Sequence, residues 1–188
     1  EKILRPMSGF LALLIALLLI ALSAYFFVNV ATSGWFMVVA ILCIVVAIFL
    51  LKGLMIIYPN HSRVLNFFGR YMGSVKDNGL FFINPLYTSY KISLRAQNLQ
   101  GQTLKVNDKM GNPIEIATVI VWQVSDTYKA AFEVAVYDEY VKIQSEAAVR
   151  HLAVSLSYDN LEDENASITL RDGGERVNQI LEKELNER

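Results

Sequence analysis

From Pro6 to Leu51 the sequence has no Asp, Glu, Lys or Arg. These 46 residues wound as one helix would run roughly 70 Å against a hydrocarbon core of about 30 Å, so a single span cannot use them. Cysteine is nearly absent. The lone Cys43 lies mid-run, excludes an internal disulfide and reads as a small inert hydrophobe. That usage is consistent with a globular part on the cytoplasmic side. His61 and His151 stand ninety residues apart without cysteines or carboxylates at ligand spacing, so no metal site is expected. No Gly-x-Ser-x-Gly elbow surrounds Ser62, Ser155 or Ser157, which argues against a hydrolase. Gly69, Gly73 and Gly79 are not followed by Lys-Ser or Lys-Thr and no helix starts there, so they read as turn glycines rather than a phosphate cradle. Basic character is too slight for nucleic acid, the net charge being −1. The apolar runs also lack the ionisable residues that mark a channel or transport pathway. No catalytic, cofactor-binding or metal residue is expected, and no cofactor.

What is present is apolar and unevenly spread. The chain is 54% hydrophobic with a mean hydropathy of +0.35, too high for an ordinary soluble domain. Two spans account for it: Phe10 to Val30, and a second from Trp35 that is expected to continue through Lys52 to Tyr58. Asn29, Thr32, Ser33 and Gly34 between them suit a tight reversal, giving a helical hairpin. Lys2 and Arg5 precede the first run as in a signal peptide, but the run is longer than the roughly 7 to 15 apolar residues of a signal core. Lys2, Arg5, Lys52, Arg63 and Arg70 lie outside the hairpin turn, which has no Lys or Arg, so the positive-inside rule puts both ends in the cytoplasm. Lys52 can snorkel to that side, and Arg63 and Arg70 are candidate headgroup contacts. The Asn165 sequon has no meaning there.

After Pro59 the composition becomes that of a small α+β domain. Residues 62–75 and "GLFFINPL" read as short strands, with Asp77-Asn78-Gly79 as a turn. "YKISLRAQNLQGQTLKV" reads as strand, residues 107–113 as a dense turn, and "IEIATVIVWQV" as a central strand covered on both faces. From Asp126 the period turns helical. Val141, Ala148, Val149, Leu152 and Leu156 form one stripe, with Lys142, Glu146 and Arg150 on the other side. An acidic loop with a short helical stretch near Leu161 follows. The last segment is a charged helix carrying only a narrow stripe, Val177, Ile180, Leu181 and Leu185. Such a stripe needs a partner, and the equivalent helix of an adjacent copy is the expected one, with Glu182, Lys183 and Glu184 setting register. Residues 1–70 carry a balance of +4 and 160–188 one of −4, so the basic end is expected to face lipid and the acidic end to project away.

The pieces combine into a pattern. Val64, Phe68, Gly69, Arg70, Tyr71 and Gly73, then Gly79, Leu80, Phe82 and Pro85, then Asp108 and Gly111, and later Arg150 and Leu161, follow one another after a hydrophobic anchor. From about Ile57 onward the chain resembles the stomatin, prohibitin, flotillin and HflK/HflC (SPFH, or band 7) family. That resemblance implies an α+β architecture in three parts: an anchoring hairpin at 1–58, an SPFH domain with a mostly antiparallel curved sheet flanked by helices at 59–173, and the start of a long coiled-coil helix at 174–188. It implies a non-enzymatic scaffold that lies against membrane lipid, assembles into large homo-oligomeric rings or cages, and organises membrane microdomains. The alternative it implies is a regulatory adaptor that controls substrate access to a membrane protease or channel. The expected location is a bacterial inner (plasma) membrane, with the domain on the cytoplasmic side. Two full-length apolar runs depart from the family's commoner single anchor or re-entrant hairpin. Glu1 in place of Met and the missing coiled coil mark the chain as an expected fragment of a longer protein.

Overall fold

The computed structural model describes residues 1–29, 31, 34–159 and 168–187. The expected helical stretch near Leu161 and the Asn165 sequon lie outside them. The chain divides into two compact units, residues 1–95 with 124–133, and residues 96–123 with 134–188.

In the first unit, β1 (Met7–Ser8) leads into α1 (Gly9–Val28), a reversal, and α2 (Trp35–Lys52). Aliphatic runs without proline, and with no glycine after the first residue of α1, keep both helices unbroken. Their contact face is made of small residues: Ala12, Ala16 and Ser23 on α1 and Ala40 and Ala47 on α2 are buried. The Ser23 hydroxyl donates to the Ala40 carbonyl at 3.1 Å, so the one buried hydroxyl of this face is satisfied across the pair. The large side chains point outward.

α2 does not continue to Tyr58 as expected. It stops at Lys52, and Leu54–Ile57 form β2, which pairs antiparallel with β5 (Gly79–Phe82) in the register Leu54↔Phe82 to Ile57↔Gly79. β1 takes the other edge of β5 (Met7↔Phe82, Ser8↔Phe81), giving the order β1-β5-β2. Gly53 marks the change from helix to strand because the chain passes too close there for a side chain. A Cβ would sit 2.3 Å from the Phe82 ring and 2.6 Å from the Ile83 carbonyl oxygen.

β3 (His61–Phe67) and β4 (Arg70–Val75) form a hairpin, and β6 (Tyr87–Ser93) pairs on the other side of β3. Ile57, Leu65, Val75 and Ile83 form the core, with Leu4, Met55, Phe81 and Tyr87 packed against it. The segment ahead of β1 is tied to β4: Ser74 N–H donates to the Lys2 carbonyl at 2.8 Å and Leu4 N–H to the Ser74 carbonyl at 2.9 Å. Short helix α3 (Thr127–Phe132) is capped by Asp126, which accepts from the Tyr128 and Lys129 N–H groups at 2.9 and 3.1 Å. Its Phe132 ring packs edge-on with Tyr71 and Tyr90, and its Tyr128 ring lies tilted against Tyr71 and Phe132.

The second unit holds two antiparallel ribbons, β7 (Gln97–Gln100) with β10 (Val119–Trp122) and β8 (Leu104–Asn107) with β9 (Pro113–Ile116). Two expectations are corrected here. The segment read as one strand from Tyr90 is divided among β6, β7 and β8. The supposed long central strand breaks at Ala117-Thr118, where Gly101 N–H donates to the Thr118 carbonyl at 2.8 Å and each half takes a different partner. Nor is it covered on both faces. Val119 and Val121 are 71% and 66% exposed, whereas Ile114, Ile116, Ile120 and Trp122 are half-buried.

Helix α4 (Tyr137–Ser155) buries Ala148, Val149 and Leu152 of the expected stripe, and α5 (Gly174–Glu187) packs beside it. The fold is thus α+β: two apolar helices, antiparallel sheets with flanking helices, and a terminal helix.

The close approach at residue 53 gives a test. Gly53→Val is expected to lower stability by about 1–3 kcal/mol through overpacking against Phe82 and Ile83. Gly34→Val, where nothing lies within 4 Å of the added carbon, should change little. Thermal unfolding of both variants in mild detergent checks the difference.

Candidate functional site

The described residues are best read as surfaces. Among the described residues no group of three or more His, Cys, Asp or Glu side chains could hold a metal ion. His61 Nδ1 lies 3.0 Å from the Pro59 carbonyl, and His151 Nδ1 lies 3.0 Å from Glu184 Oε1 on α5. Both imidazoles are used locally. The informative features are surfaces.

The first is the apolar hairpin with its basic flank. α1 and α2 are each long and apolar enough to cross a membrane. At 20 and 18 residues they run about 30 and 27 Å. Lys52 is exposed as the last residue of α2. Arg63 is half-buried on β3, its Nη1 lying 3.5 Å from Ser89 Oγ, while Arg70 is exposed at the β3–β4 turn opposite Phe67. The two arginines therefore stand at different ends of one hairpin and form no cluster.

The second is the terminal stripe. It does not act as one face. Val177 and Leu181 line a cleft with Val149 and Leu152 of α4 and Leu170, so they are partly covered within the same chain. Leu185 is half-buried, whereas Ile180 is 38% exposed. His151 and Glu184 close the contact between the two helices.

A third feature was seen in the sequence only as a turn residue. Asp108 is 4% exposed at the start of the β8–β9 turn. Its Oδ1 accepts from Met110 N–H at 2.9 Å and Asn112 N–H at 2.7 Å, and its Oδ2 accepts from Tyr158 N–H at 3.0 Å. The carboxylate therefore fastens the ribbon to the chain beyond α4. Nothing local could reveal the Tyr158 partner; only the Asp-x-x-Gly spacing hints at a side-chain-closed turn. Burial alone would raise the Asp108 carboxyl, but the N–H donors of Tyr158, Asn112 and Met110 outweigh it and hold it below the usual carboxylate range.

Residues 55–188, more than half of the chain, match the family model described as SPFH domain / Band 7 family. No curated protein matches the chain.

Because the folded carboxyl titrates lower than an unfolded one, its stabilisation is full above the ordinary carboxylate range and is lost as the pH falls through the folded value. Asp108→Asn is therefore expected to unfold at a lower temperature than the wild type at neutral pH. The gap should close as the pH is lowered through and below the carboxylate range. Melting curves of the two proteins across that range check it; a gap that does not vary with pH would mean the charge is irrelevant.

Proposed function

The chain belongs to the SPFH domain / Band 7 family, and on that basis we propose that it is a membrane-anchored scaffold whose copies assemble into large ring- or cage-like oligomers and organise membrane microdomains. The family's members are generally non-enzymatic, and nothing at the surfaces described above supplies a reaction. Residues 1–58 serve as the anchor, 59–173 as the domain that lies over the lipid, and 174–188 as the start of the joining helix.

One observation carries the anchoring part. β5 accepts β1 along one edge and β2 along the other, so the strand before α1 and the strand after α2 meet on one sheet. A chain that enters an apolar hairpin from this sheet and returns to it must leave the bilayer on the side where it entered. The basic flank, Lys2, Arg5 and Lys52, against a turn without Lys or Arg, favours the cytoplasmic side of a bacterial inner membrane. Outward-facing Leu, Ile, Val and Phe around both helices support lipid as their surroundings, since apolar patches of that extent are rare on soluble monomers.

Support for assembly comes from α5 and α4. Ile180 stays exposed beside the partly covered Val177 and Leu181, and α4 leaves Ile143 and Val154 exposed on the side away from its buried residues. Neighbouring copies would cover such residues, and closed homo-oligomers are the usual outcome of repeated self-contact.

Topology is tested with single cysteines in a Cys43→Ala background. Gly34→Cys should react with an impermeant maleimide added to intact cells, and Lys105→Cys only after lysis. Labelling of Lys105→Cys from outside would overturn the orientation. Assembly is tested by Ile180→Lys, which leaves the contact of Val177 and Leu181 with α4 in place. Native mass analysis in mild detergent should show smaller particles at unchanged helix content, and particles of wild-type size would remove this helix from the interface.

A further inference from the structure

The β3–β4 turn consists of Phe68 and Gly69, between the paired residues Phe67 and Arg70. Both turn residues have positive φ, +46° and +83°. Two-residue hairpin turns of this handedness are suited to Asn-Gly, and a bulky aromatic at the first position is a genuine outlier. The ring gains little in return from the fold. Phe68 is 84% exposed, and among the described residues its one ring contact is with Phe67, at 4.7 Å between centroids. A strained backbone that holds an apolar ring out of the fold points to something outside the chain that the ring meets.

The register says what lies next to it. Phe67 pairs with Tyr87, their rings 5.3 Å apart. Tyr87 N–H donates to the Asn84 carbonyl at 2.9 Å, and Ile83 N–H donates to the Gly53 carbonyl at 2.8 Å. Gly53 is the residue at which α2 ends. The Phe68 turn and the loop 84–86, whose Leu86 is 55% exposed, therefore lie at the end of the first unit from which the apolar hairpin departs. The opposite end of the β3–β4 hairpin is marked by Val75, followed by the exposed Asp77.

We infer that Phe68 and Leu86 form a second membrane contact, seated in the interfacial layer of the bilayer that the hairpin crosses, with Arg70 and Lys52 beside them turned to anionic headgroups. This rests on the reading of the hairpin as a membrane anchor. A lipid surface fits better than a protein partner because the two apolar side chains continue the apolar surface of α2 at its exit and are accompanied by cations, the arrangement that interfacial anchors use. It also accounts for the strain: asparagine would suit the turn but would not enter the acyl boundary.

The full chain is reconstituted in vesicles of phosphatidylcholine and phosphatidylglycerol, in a Cys43→Ala background. Spin labels are placed singly at Phe68→Cys, Leu42→Cys within α2, and Asp77→Cys. The label at 68 is expected to resemble that at 42, open to oxygen and shielded from a water-soluble nickel chelate, while 77 is open to the chelate. If 68 behaves like 77 while 42 is immersed, the inference fails and the anchor stands. If 42 is also open to the chelate, the anchor reading fails and the inference with it. A label at 68 shielded from both reagents and broadened by a neighbouring label places a second copy there instead, which also overturns it. Phe68→Asn supplies a further measurement. Its thermal midpoint in detergent should be no lower than that of the wild type, while a label at Leu86→Cys in this variant loses much of its shielding from the chelate. A fall in the midpoint would make the ring a structural element of the turn and sink the inference.

Discussion

The strand Gly79–Phe82 carries a partner along each edge, and those partners are the two segments that flank the apolar hairpin. Backbone hydrogen bonds in a sheet fix neighbouring strands about 4.8 Å apart, so with β5 between β1 and β2 the start of α1 and the end of α2 are held roughly 10 Å apart, a usual helix–helix spacing, before any side chain is considered. From that constraint follow an antiparallel helix pair, similar lengths of 20 and 18 residues, and a contact face narrow enough to require alanine and serine. Gly53 follows from it too, since the chain must turn from helix to strand against the carbonyl of Ile83.

The second unit solves a different problem. Two-stranded ribbons are marginal in isolation, and both ribbons here need outside support. The β8–β9 ribbon receives it from α4, whose Val149 and Leu152 share a cleft with Ile114 and Ile116, and from the Asp108 carboxylate, which reaches Tyr158, while Trp122 of the β7–β10 ribbon packs edge-on against Tyr137 at the start of α4. Only one face is served in this way. Val119 and Val121 stay open on the other, so the unit buries what the ribbons require and leaves an apolar remainder on its surface.

Much of this was legible in the sequence, and the failures have a common cause. The absence of charge from Pro6 to Leu51 announced the hairpin, Gly69 and Asp77-Asn78-Gly79 marked the turns around β4 and β5, and the Ala148, Val149, Leu152 spacing marked the buried face of α4. The end of α2 was not legible because Leu54–Ile57 is apolar throughout, and a short apolar run reads equally as helix or as buried strand until a pairing partner is known. The break at Ala117-Thr118 was hidden for the same reason: each half is strand-like, and only the different partners β8 and β7 divide them. The surfaces were partly legible. Lys52 and Arg70 could be picked out by their positions, but the strain at Phe68 is a property of the backbone, and the cover that α4 gives Val177 and Leu181 depends on residues nearly thirty positions away.

The double pairing of β5 also decides how the chain bears force. A pull on the first unit reaches α1 through β1 and α2 through β2 at the same time, so the two helices share the load in parallel. Strand pairs pulled along their length must break their hydrogen bonds together, whereas a pull across them opens one bond at a time. With the hairpin set in a bilayer as proposed, dislodging it by traction would require both helices to move at once, dragging the turn at Asn29 and Gly34 through the apolar layer behind them. A single helix carries no such trailing polar turn, so in that setting the cost of drawing the turn through the layer would add to the cost of exposing both apolar helices to water.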